Sequence, residues 1–252
     1  MAGVYDYLLG GADHSDTDQA AGDQIVAALP EAAIGVRAQR DVLRRAVRHL
    51  AADAGIGQFI DLGSGLPTAD NVHQIAARYH PGARVVYVDH DPAVVERAQE
   101  LLASDETTVA VNGDLRAAAA VLADPAVAGH LDWEQPVGLL LCGILHYVPD
   151  DEQPAELTAS WIRALAPGSY VFIHHLLASE DPAAADLQAA MAQALGPVQF
   201  RTRGEVEGLF GGLEVDEPGV VPVPQWRPDP DTPSERDVPV LGLACAGLAR
   251  VP

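Results

Sequence analysis

The chain has 252 residues, which is enough for one large domain with a complete hydrophobic core. Its 15 basic residues are all arginines, and 36 acidic residues oppose them, giving a formal net charge of −21. An acidic balance of this size argues against binding to a nucleic-acid backbone. The absence of lysine from the sequence excludes Schiff-base chemistry on a lysine side chain. We interpret the charge itself as a solubilising surface.

The cysteines and the apolar runs bear on the cellular compartment. Cys142 and Cys245 lie in apolar, strand-like runs, which predicts buried free thiols in a reducing cytosol. The first residues have neither the basic start nor the apolar centre of a signal peptide. The longest apolar run, 137–145, is too short to cross a bilayer. We therefore expect a cytoplasmic protein with no membrane partner.

The first 55 residues are expected to form an N-terminal segment followed by two helices. Residues 1–16 are too apolar for a loose tail, and two interpretations remain open for them. They pack on the domain surface, or they close over a ligand with Tyr5 or Tyr7 against it. Asp16 or Thr17 is predicted to cap a first helix that runs to about Leu29, and a second helix is predicted from about Gly35 to Ala54. The arginines of the second helix are predicted to form a solvated face; they are Arg37, Arg40, Arg44, Arg45 and Arg48.

Strands and helices alternate from residue 56 onward, and residues 56–252 are predicted to form the second part of a single structural unit. Strands are predicted near 58–62, 84–89, 107–112, 136–142 and 169–177, with helices near 67–80, 92–103, 115–123, 153–166 and 182–195. The strands are continuously apolar, which is typical of a parallel sheet covered by helices on both faces. The last part of the chain is predicted to begin with a short helix at 203–210 and a strand at 213–217. A proline-rich crossing follows at 218–239, and the final strand, at 240–251, is predicted to be antiparallel.

A glycine turn is the most informative local pattern in the sequence. The short strand Gln58 to Leu62 leads into Gly63-Ser64-Gly65, and a helix is predicted to open at Pro67 or Thr68. Glycines at this point let the backbone turn sharply and approach a ligand closely. A strand, a glycine turn and a helix N-terminus together predict a nucleotide-type site at the carboxyl end of a parallel sheet.

Acidic residues at successive strand ends narrow the choice of ligand. Asp61 ends the first strand, and Asp89, at the end of the second, can accept hydrogen bonds from both hydroxyls of a ribose. Gly113 and Asp114 end the third strand, where Asp114 could accept from an adenine amino group. Thr68 stands where the dinucleotide fingerprint has its third glycine. The pattern therefore favours S-adenosylmethionine (SAM) over a nicotinamide cofactor.

With these features assembled, the chain resembles an actinobacterial family of SAM-dependent methyltransferases within the class I superfamily, formerly a domain of unknown function. The resemblance covers almost the whole chain. It rests on Tyr5-Asp-Tyr-Leu-Leu-Gly-Gly11, Asp61-Leu-Gly-Ser-Gly-Leu-Pro-Thr68, Asn71-Val-His73, Val88-Asp-His-Asp-Pro92, Leu145-His-Tyr-Val-Pro-Asp150, Leu165-Ala-Pro-Gly-Ser169 and Glu217-Pro-Gly-Val-Val-Pro-Val-Pro224. Members similar to this chain usually carry Lys-Asp-Asn after the double glycine, where this chain has Ala12-Asp-His14.

The resemblance implies a Rossmann-like class I methyltransferase fold. This is a mostly parallel seven-stranded sheet with an antiparallel last strand, helices on both faces and an N-terminal helical extension. It implies SAM as methyl donor and S-adenosylhomocysteine as product. By this resemblance, the methionine end of SAM would be lined by Asp61, Gly63, Ser64 and Gly65, and the ribose would be bound by Asp89. The adenine would contact Gly113, Asp114 and Leu115, and the sulfonium would lie near Cys142 and Gly143. Tyr7 and His90 complete the predicted cofactor-binding set.

The expected activity is methyl transfer to oxygen or nitrogen of an unidentified small molecule, of the kind made in secondary metabolism. A histidine could serve as general base, and His146 and His14 are the candidates, with His174 or His175 as further possibilities. The histidines and acids show no compact metal-ligand spacing, so no metal is predicted. A monomer or a homodimer is expected. Two alternatives stay open: a SAM-binding regulator or cofactor-assisted cyclase that transfers no methyl group, and an NAD(P) oxidoreductase.

Overall fold

A seven-stranded sheet organises the part of the chain that the computed structural model describes, namely residues 1–67, 70–234, 236 and 238–252. The strands are β1 Gln58–Leu62, β2 Arg84–Asp89, β3 Thr108–Asn112, β4 Gly138–Cys142, β5 Tyr170–Leu176, β6 Val221–Pro222 and β7 Ala244–Arg250. The α-helices are α1 Ala2–Leu9, α2 Asp16–Ala28, α3 Ala32–Arg48, α4 Val72–Tyr79, α5 Pro92–Leu102, α6 Ala118–Leu122, α7 Pro125–Ala128, α8 Pro154–Ile162, α9 Pro182–Leu195 and α10 Arg203–Gly208. Within the described residues, no helix is both long enough and apolar enough to cross a membrane.

The strand order is β3-β2-β1-β4-β5-β7-β6, and β7 runs antiparallel to both of its neighbours. The other described strands are parallel, so the predicted Rossmann-like arrangement with a reversed last strand is confirmed. β1 lies between β2 and β4, where the connections leave in opposite directions and open a crevice at the carboxyl ends of the strands. All five residues of β1 are buried, as expected for a strand covered on both faces.

Two apolar layers cover the sheet. One is centred on Trp161 and Phe210 and buries the face that carries Ile60 and Leu139. The other packs α3 against Phe59 and Phe172. A third cluster joins α1, α2 and α9 to the residues before β7, and it lies beside the carboxyl end of the sheet rather than over its centre.

The N-terminal segment forms a helical hairpin. α1 ends at Leu9 and is capped by Gly10, whose φ of 81° is in the left-handed region that glycine adopts readily. The carboxylate of Asp6 then holds the turn, accepting hydrogen bonds from the backbone N–H of Asp13 at 2.9 Å and from His14 Nδ1 at 3.0 Å. α2 is capped by Ser15, one residue before the predicted cap. The motif Tyr5 to Gly11 is therefore a helix and its cap.

Three predicted boundaries are wrong. α4 begins at Val72, after the cap residue Asn71, rather than at Pro67; the alternative start, Thr68, lies outside the described residues. Residues 213–217 make a single bridge, from Val215 to Ala249, and the edge strand is 221–222. Residues 239–243 form a 3₁₀ turn before β7. Pro239 explains the last difference, because a proline suits the first turn of a helix. Residues 213–217 contain no proline, and the edge strand that does form ends in Pro222.

The prediction of a solvated arginine face on α3 is wrong for Arg45. Its side chain is buried and donates to the backbone carbonyl of Val223 at 3.0 Å and to that of Trp226. Arg44 and Arg48 also reach the proline-rich crossing, and each pairs with Asp229 at 2.7 Å. The crossing lies against α3, and no periodicity in α3 alone reports this contact.

Replacing Arg45 by alanine should lower the free energy of unfolding by roughly 2–4 kcal/mol, because two buried carbonyls would lose their donor. Urea unfolding followed by circular dichroism would measure the loss. Arg37→Ala, at an exposed position of the same helix, should stay within about 0.5 kcal/mol of the parent protein. Equal effects of the two changes would contradict the structural role of Arg45.

Candidate active site

The carboxyl ends of β1, β2 and β4 form a cleft that brings together most of the predicted cofactor-binding residues. Those lining it are Asp61, Gly63, Ser64, Gly65, Asp89, His90, Cys142 and Gly143. Side chains from elsewhere complete the walls: Tyr5 from α1, Gln39, Arg40 and Leu43 from α3, and Ile144 and Tyr147 after β4.

Asp61 is the buried charge of this cleft. It ends β1 with only 6 % of its surface exposed, and burial raises the pKa of its carboxyl group to about 7. The positive charge of Arg40 opposes this rise, and the negative charge of Asp89 adds to it. A cation bound beside Asp61 would therefore favour the ionised form of the carboxylate.

The glycine turn is tied to the end of β2. The N–H of Gly63 donates to the carbonyl of Val88 at 2.8 Å, and the N–H of Gly65 donates to Asp89 Oδ2 at 2.9 Å. Gly63 has a φ of 71°, and a Cβ there would come within 2.5 Å of the Ile144 side chain. Only glycine fits this close approach.

Asp89 lies between two cavities. It lines the cleft just described and also a neighbouring cavity that contains Gly113, Asp114, Leu115 and Arg116. Asp89 Oδ1 accepts the N–H of Asp91 at 3.0 Å and lies 3.5 Å from Nδ1 of the exposed His90 ring. Asp89 Oδ2 accepts the N–H of Gly65 and retains a lone pair for a ligand. Asp61, Asp89 and Asp114 thus follow one another along the edge formed by β1, β2 and β3.

A third, mainly apolar cavity adjoins the cleft. It lies among α1, α2, α3, α9 and the ends of β5 and β7. The residues that line both spaces are Met1, Tyr5, Gln39, Gly143 and Tyr147. Gln39 lies at the boundary between the cleft and the apolar cavity, where its Nε2 donates to the carbonyl oxygen of Cys142 at 3.4 Å.

Tyr7 and His14 are not brought to the cleft. The Tyr7 hydroxyl donates to Asp23 at 2.6 Å, and its ring packs against α2 and edge-on to His14. His14 is held by Asp6 in the hairpin turn. Tyr5 faces the cleft instead, and burial raises the pKa of its hydroxyl. Helical geometry explains the difference, because residues i and i+2 do not share a helix face.

The candidate histidines occupy two sides of the sheet. His146, in the turn after β4, and His174, in β5, are both buried and line the apolar cavity. His175 points to the opposite face of β5, where its Nε2 is 3.0 Å from Arg201 Nη1, and its ring lies edge-on to that of His146 with the centroids 5.6 Å apart. This alternation follows from the period of a strand.

Several residues at this site carry no motif signal. Gln39 and Arg40 lie on a helix that precedes the glycine turn by about 20 residues, and Ile144 and Tyr147 lie in a turn of ordinary composition. The sequence signal closest to them is the excess of arginine on α3, which predicts a solvated face. The structure places Arg40 in the cleft, where it also donates to the Asp70 carbonyl at 2.9 Å.

The strand order, the reversed β7 and the acidic tips of β1 and β2 define a class I SAM-dependent methyltransferase fold. A family model described as S-adenosyl methyltransferase matches residues 1–252, so the chain belongs to that family.

Solved structures agree with this assignment. A candidate methyltransferase from Thermobifida fusca is 41 % identical, with a TM-score of 0.93 over 100 % of this chain and 94 % of its own. A DUF574 family protein from Streptomyces avermitilis is 38 % identical, with a TM-score of 0.93 over 100 % of this chain and 97 % of its own. Human N-acetylserotonin methyltransferase in complex with SAM shares the fold, with 17 % identity and a TM-score of 0.52 over 98 % of this chain and 62 % of its own. No curated protein matches the chain.

The raised pKa of Asp61 predicts a pH-dependent loss of stability. The native carboxyl group, with a pKa of about 7 against an ordinary value of 3.8, binds a proton that the unfolded chain releases between these values. Its contribution to stability therefore decreases as pH rises from about 4 to about 7. Asp61→Asn should be as stable as the parent protein near pH 4 and more stable above pH 7, by at most about 4 kcal/mol.

Urea unfolding of both proteins at a series of pH values would measure this difference. A stability difference that is constant across the range would mean that the Asp61 carboxyl group does not titrate near pH 7.

Proposed function

We propose that this protein transfers a methyl group from SAM to an uncharged small molecule bound in the apolar cavity. The observation that carries the proposal is the shared wall, in which Tyr5, Gln39 and Gly143 line both the acidic cleft and the apolar cavity. SAM supplies an electrophilic methyl group on a sulfonium that is already a good leaving group. The protein then has to align the acceptor with that methyl group and exclude water.

The residues of the cleft fit the chemical groups of SAM in order. Its amino-acid end carries an ammonium and a carboxylate, and the cleft offers Asp61 and Arg40 as opposite charges. Asp89 Oδ2 has a free lone pair for a ribose hydroxyl, at the boundary with the neighbouring cavity. Gly113, Asp114 and Leu115 would hold the adenine there. Cys142 and Gly143 would lie beside the sulfonium, where the two spaces join.

The acceptor would lie under the N-terminal hairpin. α1 separates the cavity from solvent on one side with Val4 and Leu8, while His146 lies on the sheet side. We therefore place His146, and not His14, beside the acceptor. The nicotinamide alternative has no support in family membership or in the glycine turn. Product analysis distinguishes methylation at oxygen from methylation at nitrogen.

Incubation with SAM and a panel of phenolic, hydroxylated and amine compounds should release S-adenosylhomocysteine and give a methylated product, both measured by mass spectrometry. Calorimetric titration with SAM alone provides the binding half of the test. Absence of SAM binding would contradict the proposal.

Asp89→Ala should weaken SAM binding by roughly 1.5–3 kcal/mol, because hydrogen bonds from the ribose to a charged acceptor would be lost. Titration calorimetry of the folded variant would measure the change. Asp53→Ala removes a carboxylate whose side chain is 70 % exposed and outside the cleft, and it should leave the affinity unchanged. An Asp89→Ala variant with parental affinity would mean that other groups hold the ribose.

The two tyrosines of α1 provide a matched pair. Tyr5→Phe removes the hydroxyl from the cleft and should weaken SAM binding roughly 3- to 10-fold, the cost of one neutral hydrogen bond. Tyr7→Phe removes a hydroxyl bound to Asp23 and should leave SAM affinity unchanged. The reverse order of effects would assign the cofactor contact to Tyr7.

A further inference from the structure

The apolar cavity has no charged side chain among the described residues that line it. Its hydrocarbon walls come from Val4, Leu8, Ile25, Leu29, Leu187, Met191 and Leu243, among others. The polar side chains at its surface are all neutral: Tyr5, Gln39, His146, Tyr147 and His174. Met1, at the boundary with the cleft, carries the α-ammonium group. Away from that boundary, a carboxylate, phosphate or ammonium on the bound molecule would lose its hydration without gaining a side-chain counterion, which is costly.

The cavity histidines, His146 and His174, have hydrogen-bonding atoms without partners. His146 Nδ1 and both ring nitrogens of His174 are buried and make no hydrogen bond. The residues themselves are 3 % and 1 % exposed. Buried polar atoms are nearly always paired in folded proteins, so unpaired ones in a cavity wall point to a ligand that pairs with them.

Both rings are neutral at ordinary pH. Burial lowers the pKa of His174 to about 3, with a further contribution from His175, and it lowers the pKa of His146 well below its usual value. A neutral imidazole presents one donor and one acceptor. A hydroxyl group, which also donates and accepts, is the uncharged complement of such a ring.

His146 is held in a fixed position by its neighbours. Arg201, itself 2 % exposed, donates to the carbonyl of Leu145 at 3.0 Å and to that of Val148 at 2.7 Å, on either side of the histidine. The His146 carbonyl accepts the N–H of Gln199 at 2.8 Å. A turn anchored at three carbonyls keeps the ring positioned before a ligand arrives, which is what selective recognition requires.

We infer that His146 and His174 form a neutral recognition site that selects an uncharged, largely hydrocarbon molecule through its hydroxyl group. That this molecule is the methyl acceptor rests on the proposed function; the selectivity itself does not. The histidines act here as positioning residues.

The test uses 2-naphthol, naphthalene and 2-naphthoate as probes of one shape and three polarities. Equilibrium dialysis at neutral pH, without SAM, would give their dissociation constants for the full-length protein. We expect 2-naphthol to bind about 3- to 10-fold more tightly than naphthalene, the value of a neutral hydrogen bond. We expect 2-naphthoate to bind at least roughly tenfold more weakly than 2-naphthol, because its charge is buried unpaired. Equal binding of naphthol and naphthalene, or preference for naphthoate, would overturn the inference.

Histidine variants assign the preference to its source. His174→Phe and His146→Phe should each reduce the naphthol preference while retaining naphthalene binding, and His174→Gln, which keeps a donor and an acceptor, should retain more of it. His49→Phe makes the same chemical change outside the cavity, where the histidine pairs with Asp53. This variant should leave the dissociation constants of all three probes unchanged. If the phenylalanine variants fail to fold, two results still test the inference. They are the naphthol preference of His174→Gln and the order in which the parent protein binds the three probes.

A separate SAM titration distinguishes the two proposals. Naphthol selectivity without SAM binding would remove the methyltransferase function and leave the recognition site. SAM binding with no selectivity among the probes would remove the recognition site and leave the methyltransferase function.

Discussion

Two carboxylates lie at the tips of neighbouring strands, and the burial of the first, Asp61, is the constraint on which the rest of the site depends. The parallel register of β1 and β2 places Asp61 and Asp89 at the same edge, and their proximity adds to the rise in the pKa of Asp61. The fold relieves the repulsion between them in two ways. The N–H of Gly65 binds Asp89, and Arg40 adds a positive charge near Asp61. Neither of these two contacts removes the preference of the Asp61 carboxylate for a cation. A sulfonium or an ammonium would satisfy that preference.

The apolar cavity depends on different parts of the chain. The sheet contributes His174, Leu176 and Ala244 to the apolar cavity, but most of its wall comes from helices α1, α2, α3 and α9. The hairpin between α1 and α2 is stabilised by Asp6, which binds the backbone of Asp13 and the ring of His14. Changes in these helices can therefore alter the apolar cavity without disturbing the strand tips.

Local pattern was sufficient to predict the strands and insufficient for the walls of the site. β1 and β2 begin and end where the apolar runs predict, because a strand buried on both faces leaves a continuous signal. Arg45 could not be assigned from α3, since its partners lie about 180 residues later in the proline-rich crossing. Tyr5 and Tyr7 could not be distinguished without the phase of α1. His174 joins His146 in one cavity only through the pairing of β4 with β5.

The two halves of the site differ in how they use charge, and this difference constrains the chemistry. Side chains of opposite charge line the cleft, whereas no charged side chain lines the cavity among its described residues. Imidazoles whose pKa is lowered so far by burial are weak bases, because efficient proton transfer needs a pKa near the working pH. If the proposed function holds, the protein contributes alignment and desolvation rather than a strong base. The acceptors that suit such a site are those whose own hydroxyl loses its proton readily, and phenols meet this requirement better than aliphatic alcohols.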